Sequence, residues 1–255
     1  MAHEDAHQRA IARSYDAEYA VIRDPSGDRG FYAGLARETG GPVLELACGT
    51  GRVLLPIARE GLPCVGLDCS RAMLDVLRSK DPPPNLEVVE ASMTDFDLGA
   101  GRFRLIYAAF RGFQHLISVD AQLATLACAR RHLAAGGVLA FDVFAADPSR
   151  IAIAEVPERE EVRAEEGDEE VRRFSSISND AAAQVMRVRF RHERWRRGVK
   201  VSDEATEVAM RWFWRFELEH LLARSGFALE AMYGGFDRRP YDGKKEMIVV
   251  ARATG

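Results

Sequence analysis

Over the first two-thirds of the chain, short apolar runs alternate with stretches of helical period. Val43–Ala47, Cys64–Asp68, Leu86–Glu90, Phe103–Tyr107 and Val138–Asp142 are compact runs that read as strands buried on both faces. Between them, Arg52–Glu60, Ser70–Ser79 and Asp120–Leu133 carry apolar residues at helical spacing. This alternation predicts a parallel sheet covered by helices. Pro82-Pro-Pro84 breaks the chain before the third strand, and Ala135-Gly-Gly137 reads as a tight turn before the fifth.

Beyond Asp147-Pro148 the pattern changes. In Gln184–Arg194, Met186, Val188 and Phe190 alternate with Arg187, Arg189 and Arg191, the period of an antiparallel strand with one wet face. Val171–Ile177 and Ala205–Phe213 are its expected partners, and the charged run Glu155–Glu170 reads as a solvated hairpin or a loose loop. A helical pattern over Phe216–Ser225 stops at Gly226, and two strands follow, Ala228–Tyr233 and Glu246–Ala251. The expected division is a core over 1–149, an antiparallel β insertion over 150–212, and a return to the core sheet over 213–255.

Composition narrows the class. The 255 residues, 47% hydrophobic and 29% charged, suffice for a large core and argue against global disorder. With 35 Lys and Arg against 39 Asp and Glu, the net charge is −4. No basic face or tail stands out, so a nucleic-acid partner is not expected. No apolar run approaches 18 residues, and the polar, acidic opening Met1-Ala-His-Glu-Asp-Ala-His is unlike a secretory signal. Cys48, Cys64, Cys69 and Cys128 lack CxxC spacing and a nearby His cluster, so neither zinc nor a disulfide framework is expected. The expectation is a reduced, cytoplasmic protein without membrane or metal, as monomer or homodimer.

The chemistry concentrates in Val43-Leu-Glu-Leu-Ala-Cys-Gly-Thr-Gly-Arg-Val53, a strand entering a glycine turn and then a helix. Such a turn lets a ligand approach the backbone and aims free helix amides at it. A dinucleotide turn carries a third glycine for close helix packing, and Leu54 stands there instead. Glu45 precedes the turn. A carboxylate there repels a pyrophosphate but suits a ligand carrying an ammonium and a sulfonium. Asp68 ends the second strand, where a carboxylate can accept both hydroxyls of a ribose. Together these acids and the turn describe an adenosyl group with a cationic amino-acid tail.

Glu45-Leu-Ala-Cys-Gly-Thr-Gly51 resembles motif I of class I methyltransferases dependent on S-adenosylmethionine (SAM). Gly66-Leu-Asp-Cys-Ser-Arg-Ala-Met73-Leu is similar to their second motif, Glu90-Ala-Ser-Met-Thr-Asp-Phe to their adenine turn, and Leu133-Ala-Ala-Gly-Gly-Val-Leu139 to the turn before strand five. The resemblance covers about residues 10–145 and the last helix and strands. It implies an α/β fold with a seven-stranded, mostly parallel Rossmann-like sheet, order 3-2-1-4-5-7-6 with strand seven antiparallel, and a β insertion after strand five. It implies SAM as cofactor and S-adenosylhomocysteine as product. Glu45, Ala47, Gly49, Gly51 and Ala109 would line the methionine tail, Asp68 the ribose, and Cys69, Met73, Ser92 and Met93 the adenine. Ser92 stands where many members have an Asp, which weakens that contact. Arg104 replaces the usual Asp in strand four.

Ser14-Tyr15-Asp-Ala-Glu-Tyr19 resembles the segment that folds over the cofactor as a lid in small-molecule members, which would set Tyr15 on the cofactor and Tyr19 on the acceptor. Phe110-Arg-Gly-Phe-Gln-His115-Leu is similar to a segment of macrolide-sugar N-methyltransferases whose His lies beside the reacting amine, making His115 the candidate general base. An alternative for His115 is to cap the next helix or hold the loop. Arg111, Trp212 and Tyr233 are further candidates for acceptor contacts, Trp212 within Arg211-Trp-Phe-Trp-Arg215, which could also be small-sheet core. No Asn-Pro-Pro-Tyr follows strand four, the device for planar base or glutamine nitrogens. The leading expectation is methyl transfer to nitrogen or oxygen of a small molecule, secondary metabolites included. A SAM-binding regulatory or assembly protein without transferase activity, and an RNA or protein methyltransferase, stay open as alternatives.

Overall fold

The computed structural model describes residues 25–254 together with Ala12 and Asp16; Tyr15 and Tyr19 lie outside the described residues. The chain divides into two compact units, one of residues 1–113, 118–145 and 214–255, the other of 114–117 and 146–213.

In the first unit, helix α1 (Pro25–Thr39) leads into strand β1 (Val43–Leu46), helix α2 (Leu54–Arg59), β2 (Cys64–Asp68), α3 (Arg71–Arg78), β3 (Leu86–Glu90), β4 (Phe103–Ala108), α4 (Val119–His132) and β5 (Leu133–Phe144). Helix α6 (Arg215–Arg224) with β10 (Phe227–Tyr233) and β11 (Glu246–Ala253) completes it. The sheet runs β10-β11-β5-β4-β1-β2-β3. Strands β1 to β5 pair in parallel, and β11 is antiparallel to both β5 and β10. This is the order the sequence resemblance implied. The chain direction across the sheet reverses between β1 and β4, where open α/β sheets bind ligands beyond the strands' carboxyl ends.

Burial explains why these segments hold. Every residue of β1 and β2 is buried, and helix α2 covers them with Leu54, Leu55 and Ile57. Each such side chain contributes roughly 1.5–3 kcal/mol. Close approach of α2 needs Gly66, because a Cβ there would stand 2.8 Å from Leu54 Cδ2 and 2.9 Å from Cys48 Sγ. Helix α3 turns Leu74 and Leu77 inward, and its N-terminus is capped by Ser70, whose hydroxyl accepts from the Met73 amide.

The second unit holds a four-stranded antiparallel meander, β6 (Glu155–Glu166), β7 (Glu169–Asp180), β8 (Val185–Arg196) and β9 (Val199–Arg211), preceded by the short helix α5 (Pro148–Ile151). Its charges pair across strands: Arg191 of β8 donates to Glu158 on β6 at 2.8 Å and to Asp203 on β9 at 3.3 Å.

Three details bear on the sequence expectation. Of the two readings of Glu155–Glu170 the structure shows the hairpin, β6 and the start of β7, whose glutamates pair with Arg173 on β7 and Arg191 on β8. Strand β5 begins at Leu133, five residues early, with Ala135-Gly-Gly137 as an irregularity inside it. A Cβ on Gly137 would stand 2.9 Å from the carbonyls of Ala134 and Phe103, so a glycine is what lets the strand continue. The atypical Arg104 donates through Nε to the Thr39 carbonyl at 2.6 Å, tying the end of α1 to the sheet.

Candidate active site

The glycine turn follows β1 directly. The Cys48 amide donates to Leu67 O at 3.0 Å, Gly51 N to Cys48 O at 2.9 Å, and Leu55 N to Gly51 O at 2.9 Å, so the turn runs without a break into α2. Asp68 locks it to the second strand, its Oδ2 accepting from Gly49 N at 2.8 Å and its Oδ1 from Ser70 N at 2.7 Å. The carboxylate is thus aimed at the turn by the two amides it accepts from. Gly49 itself has φ +55, and a Cβ built on it meets no heavy atom of the described residues within 4 Å. The turn therefore borders open space that a side chain would fill. Gly51 differs in kind, since its Cβ would lie 3.0 Å from Leu77.

Glu45 is buried and accepts from the Tyr107 hydroxyl at 3.0 Å. Burial pushes its carboxyl well above the usual carboxylate range, against the opposing pull of the Tyr107 hydrogen bond and Arg52. Tyr107 stacks on Tyr32, centroids 4.6 Å apart, and the Tyr32 hydroxyl donates to Asp142 Oδ1 at 2.8 Å. Beside them Arg52 donates through Nη1 and Nη2 to buried Asp28, its guanidinium 4.9 Å from the Phe110 ring centroid. The Thr50 hydroxyl donates to Asp16 at 2.6 Å, and Lys80 pairs with the same carboxylate. The glycine turn is thus bordered by Glu45 and Asp68, while Asp28 and Asp16 are each paired with a cation, Arg52 and Lys80.

The raised Glu45 pKa fixes a sign. A folded-state pKa above the unfolded one means that the unfolded chain releases its proton first as pH rises. Stability contributed by protonated Glu45 is therefore whole in acid and lost as pH climbs from the ordinary glutamate range through the raised folded value. Glu45→Gln should remove that decline. Thermal melts of parent and variant should diverge in the variant's favour toward neutral pH and converge in acid, and parallel curves would refute the assignment.

The remaining candidates are placed unevenly. Ala47 (φ +54) flanks the turn, Ala109 is buried after β4, and Cys69 and Met73 follow Asp68, Cys69 exposed and Met73 half-buried on α3. The Ser92 hydroxyl is 2.7 Å from that of Thr94, and Met93 is half-buried beside it. Arg111 donates to Glu246 at 2.9 Å and lies over the Phe144 ring. Tyr233 packs edge-on against Phe31, with centroids 6.0 Å apart. Trp212 is 2% exposed and presents no open face in this conformation, whereas Trp214 is 46% exposed. His115 is exposed at the end of a 3-10 turn, Gly112–His115, and belongs to the second unit.

Sequence reasoning missed Asp28, Tyr32, Arg52, Tyr107 and Asp142. Asp142 carried a usable signal, since it ends an apolar strand as Asp68 does. Arg52 stood inside the quoted motif. Tyr32 and Asp28 lie on α1, whose residues showed no period that singled them out. Among the described residues no group of His, Cys, Asp and Glu could hold a metal ion, and no helix is long and apolar enough to cross a membrane.

Fold, turn and strand-end acids define a nucleoside-binding α/β protein of the class that carries a cationic adenosyl donor. Residues 43–137 match a family model described as a methyltransferase domain. The chain is 28% identical over 200 residues to the dTDP-3-amino-3,6-dideoxy-alpha-D-glucopyranose N,N-dimethyltransferase of Streptomyces fradiae, covering 76% of this chain and 72% of that one. The CcbJ methyltransferase of Streptomyces caelestis is similar in structure, with TM-score 0.78, 27% identity and 96% of both chains covered. The sugar N-methyltransferase KedS8 from Streptoalloteichus shares the fold, with TM-score 0.76, 22% identity and 94% and 93% coverage. Residues 43–137 thus form a methyltransferase domain, and these similarities support a SAM-dependent methyltransferase enzyme.

Proposed function

We propose that the enzyme moves the methyl group of SAM to a nitrogen or oxygen of a small molecule, with an amino sugar of a secondary metabolite as the leading acceptor. The observation that carries this reading is the open cradle at Gly49, flanked by Glu45 and Asp68. Similarity over three-quarters of the chain to an amino-sugar dimethyltransferase supports the acceptor class. SAM supplies a methyl on a positively charged sulfur, and the protein's task is to hold it in line with the acceptor's lone pair, exclude water and take up one proton.

Asp68 would accept from the ribose hydroxyls, Glu45, Ala47, Gly49, Gly51 and Ala109 would border the methionine tail, and Cys69, Met73, Ser92 and Met93 the adenine. His115 is assigned the proton, and Tyr15 the cofactor side of an N-terminal lid. The β insertion is the acceptor-side lobe, with Tyr19, Arg111 and Tyr233 as acceptor contacts, while the buried Trp212 is left to the packing of that lobe. The test is turnover of SAM to S-adenosylhomocysteine with dTDP-3-amino-3,6-dideoxyhexoses, set beside free amines, peptides and RNA. Saturable turnover on the amino sugars supports the reading, and turnover confined to peptide or RNA overturns it.

Asp68→Ala should weaken SAM binding by about 1–3 kcal/mol, since charge-assisted hydrogen bonds to the ribose are lost. The variant also frees the Gly49 amide that Asp68 now holds. Calorimetry checks this, and parent-like affinity would remove Asp68 from the site.

A further inference from the structure

Asp142 stands two residues before the end of β5, and its side chain is fully buried. Its Oδ1 accepts from the Phe110 amide at 2.7 Å and its Oδ2 from the Arg111 amide at 3.1 Å. Phe110 and Arg111 have φ of +54 and +65, two consecutive left-handed residues, neither a glycine. Successive amides in that conformation form a concave nest that suits one anion. Residues with side chains persist there only where the surroundings over-determine them, and such strain gathers at functional sites. Here the surroundings are Asp142 and the Tyr32 hydroxyl, which donates to the same Oδ1 and orients the carboxylate.

The loop held this way descends onto the cofactor turn. A Cβ on Gly112, the next residue, would lie 3.4 Å from Ala47 Cβ and 3.6 Å from Ala108 Cβ. Ala47 begins the glycine turn, and Ala109 begins the loop. The proposed function sets the methionine tail against both, so the slot meant for it would be bounded by Ala47 on the turn and Ala109 on the loop. Asp142, though it stands one strand away on β5, therefore sets the spacing between the two walls of that slot.

We infer that Asp142 is a positioning residue for methyl transfer, a carboxylate clamp that holds the loop after β4 in a left-handed conformation and thereby fixes the slot beside the glycine turn. The inference rests on the methyltransferase reading above. It differs from a plain structural role because in-line displacement tolerates little error: a misplacement of 1 Å can cost about 10²-fold in rate. Most of the cofactor grip, at Asp68 and the turn, is built on other strands. A loosened loop thus appears in kcat and leaves SAM affinity nearly intact.

The experiment uses the full chain, with SAM and whichever acceptor the turnover panel identifies. Asp142→Asn keeps size and one acceptor oxygen but turns an NH2 toward one of the two amides. The expected result is a kcat lower by about 30- to 100-fold, a SAM Kd within about threefold of the parent, and faster hydrogen exchange at the Phe110 and Arg111 amides while β1 and β4 amides stay protected. A kcat within threefold of the parent, or a kcat loss matched by equal loss of SAM affinity, overturns the proposal. Should Asp142→Asn fail to fold, exchange on the parent decides: Phe110 and Arg111 amides as protected as those of β4 support the clamp, and freely exchanging ones overturn it. A parent that binds no SAM sinks the functional reading, whereas a parent that binds and transfers while the variant keeps its rate sinks only the clamp.

Discussion

Gly49→Val is expected to fold and to bind no measurable SAM. The two halves of that result have separate physical causes. At Gly49 a Cβ strikes nothing among the described residues, so the core has no reason to rearrange. The penalty is conformational: φ is +55, and a residue with a side chain in that region costs about 1–2 kcal/mol. A domain with typical stability of about 5–15 kcal/mol survives that. The isopropyl group would instead occupy the cradle and deny the ligand its approach to the backbone. Calorimetry should show affinity lowered by more than about 100-fold, roughly 2.8 kcal/mol at 1.4 kcal/mol per decade. Circular dichroism should remain parent-like. A folded Gly49→Val with the parent's affinity would move the cofactor site away from this turn altogether.

His115→Asn should lower kcat by about 10²–10⁴ on a hydroxyl acceptor, the usual worth of general-base help. On an amine the effect should be smaller, because an amine can arrive already deprotonated. SAM affinity, measured separately, should not change, since His115 is assigned the acceptor's proton and no contact with the cofactor. His115 ends the Gly112–His115 turn with its side chain exposed, accessible to an incoming acceptor. Weakened SAM binding with normal kcat would make it a cofactor-side or structural residue.

The sheet was legible because its signals are local. A five-residue apolar run such as Cys64–Asp68 announces a strand buried on both faces, and the strand order followed from a motif that occurs in one topology. The turn and its two acids were legible for the same reason, being contiguous or at a strand end. What stayed hidden were contacts between distant segments. Tyr32 reaches Asp142 across 110 positions, and Tyr107 reaches Glu45 across 62. No pattern in either local stretch marks such a pair. Nor did the sequence show that Phe110 and Arg111 are left-handed, since neither is a residue that favours that conformation. The aromatic triplet shows the same limit: alternation allowed any of its rings to face outward, and packing left Trp214 exposed and Trp212 buried.

The insertion leaves the core strand at Ala146 and returns at Phe213, and the Ala146 amide donates to the Phe213 carbonyl at 3.4 Å. Departure and return are thus side by side. A segment whose ends already touch can lengthen or shorten without changing the gap its host must bridge, and each doubling of a loop adds only about 0.6 kcal/mol of closure cost. The meander is in that sense a cassette: its hairpins can diversify in length and surface while the strands that hold Glu45 and Asp68 keep their register. The meander and the donor-binding sheet can accordingly evolve at different speeds within one chain.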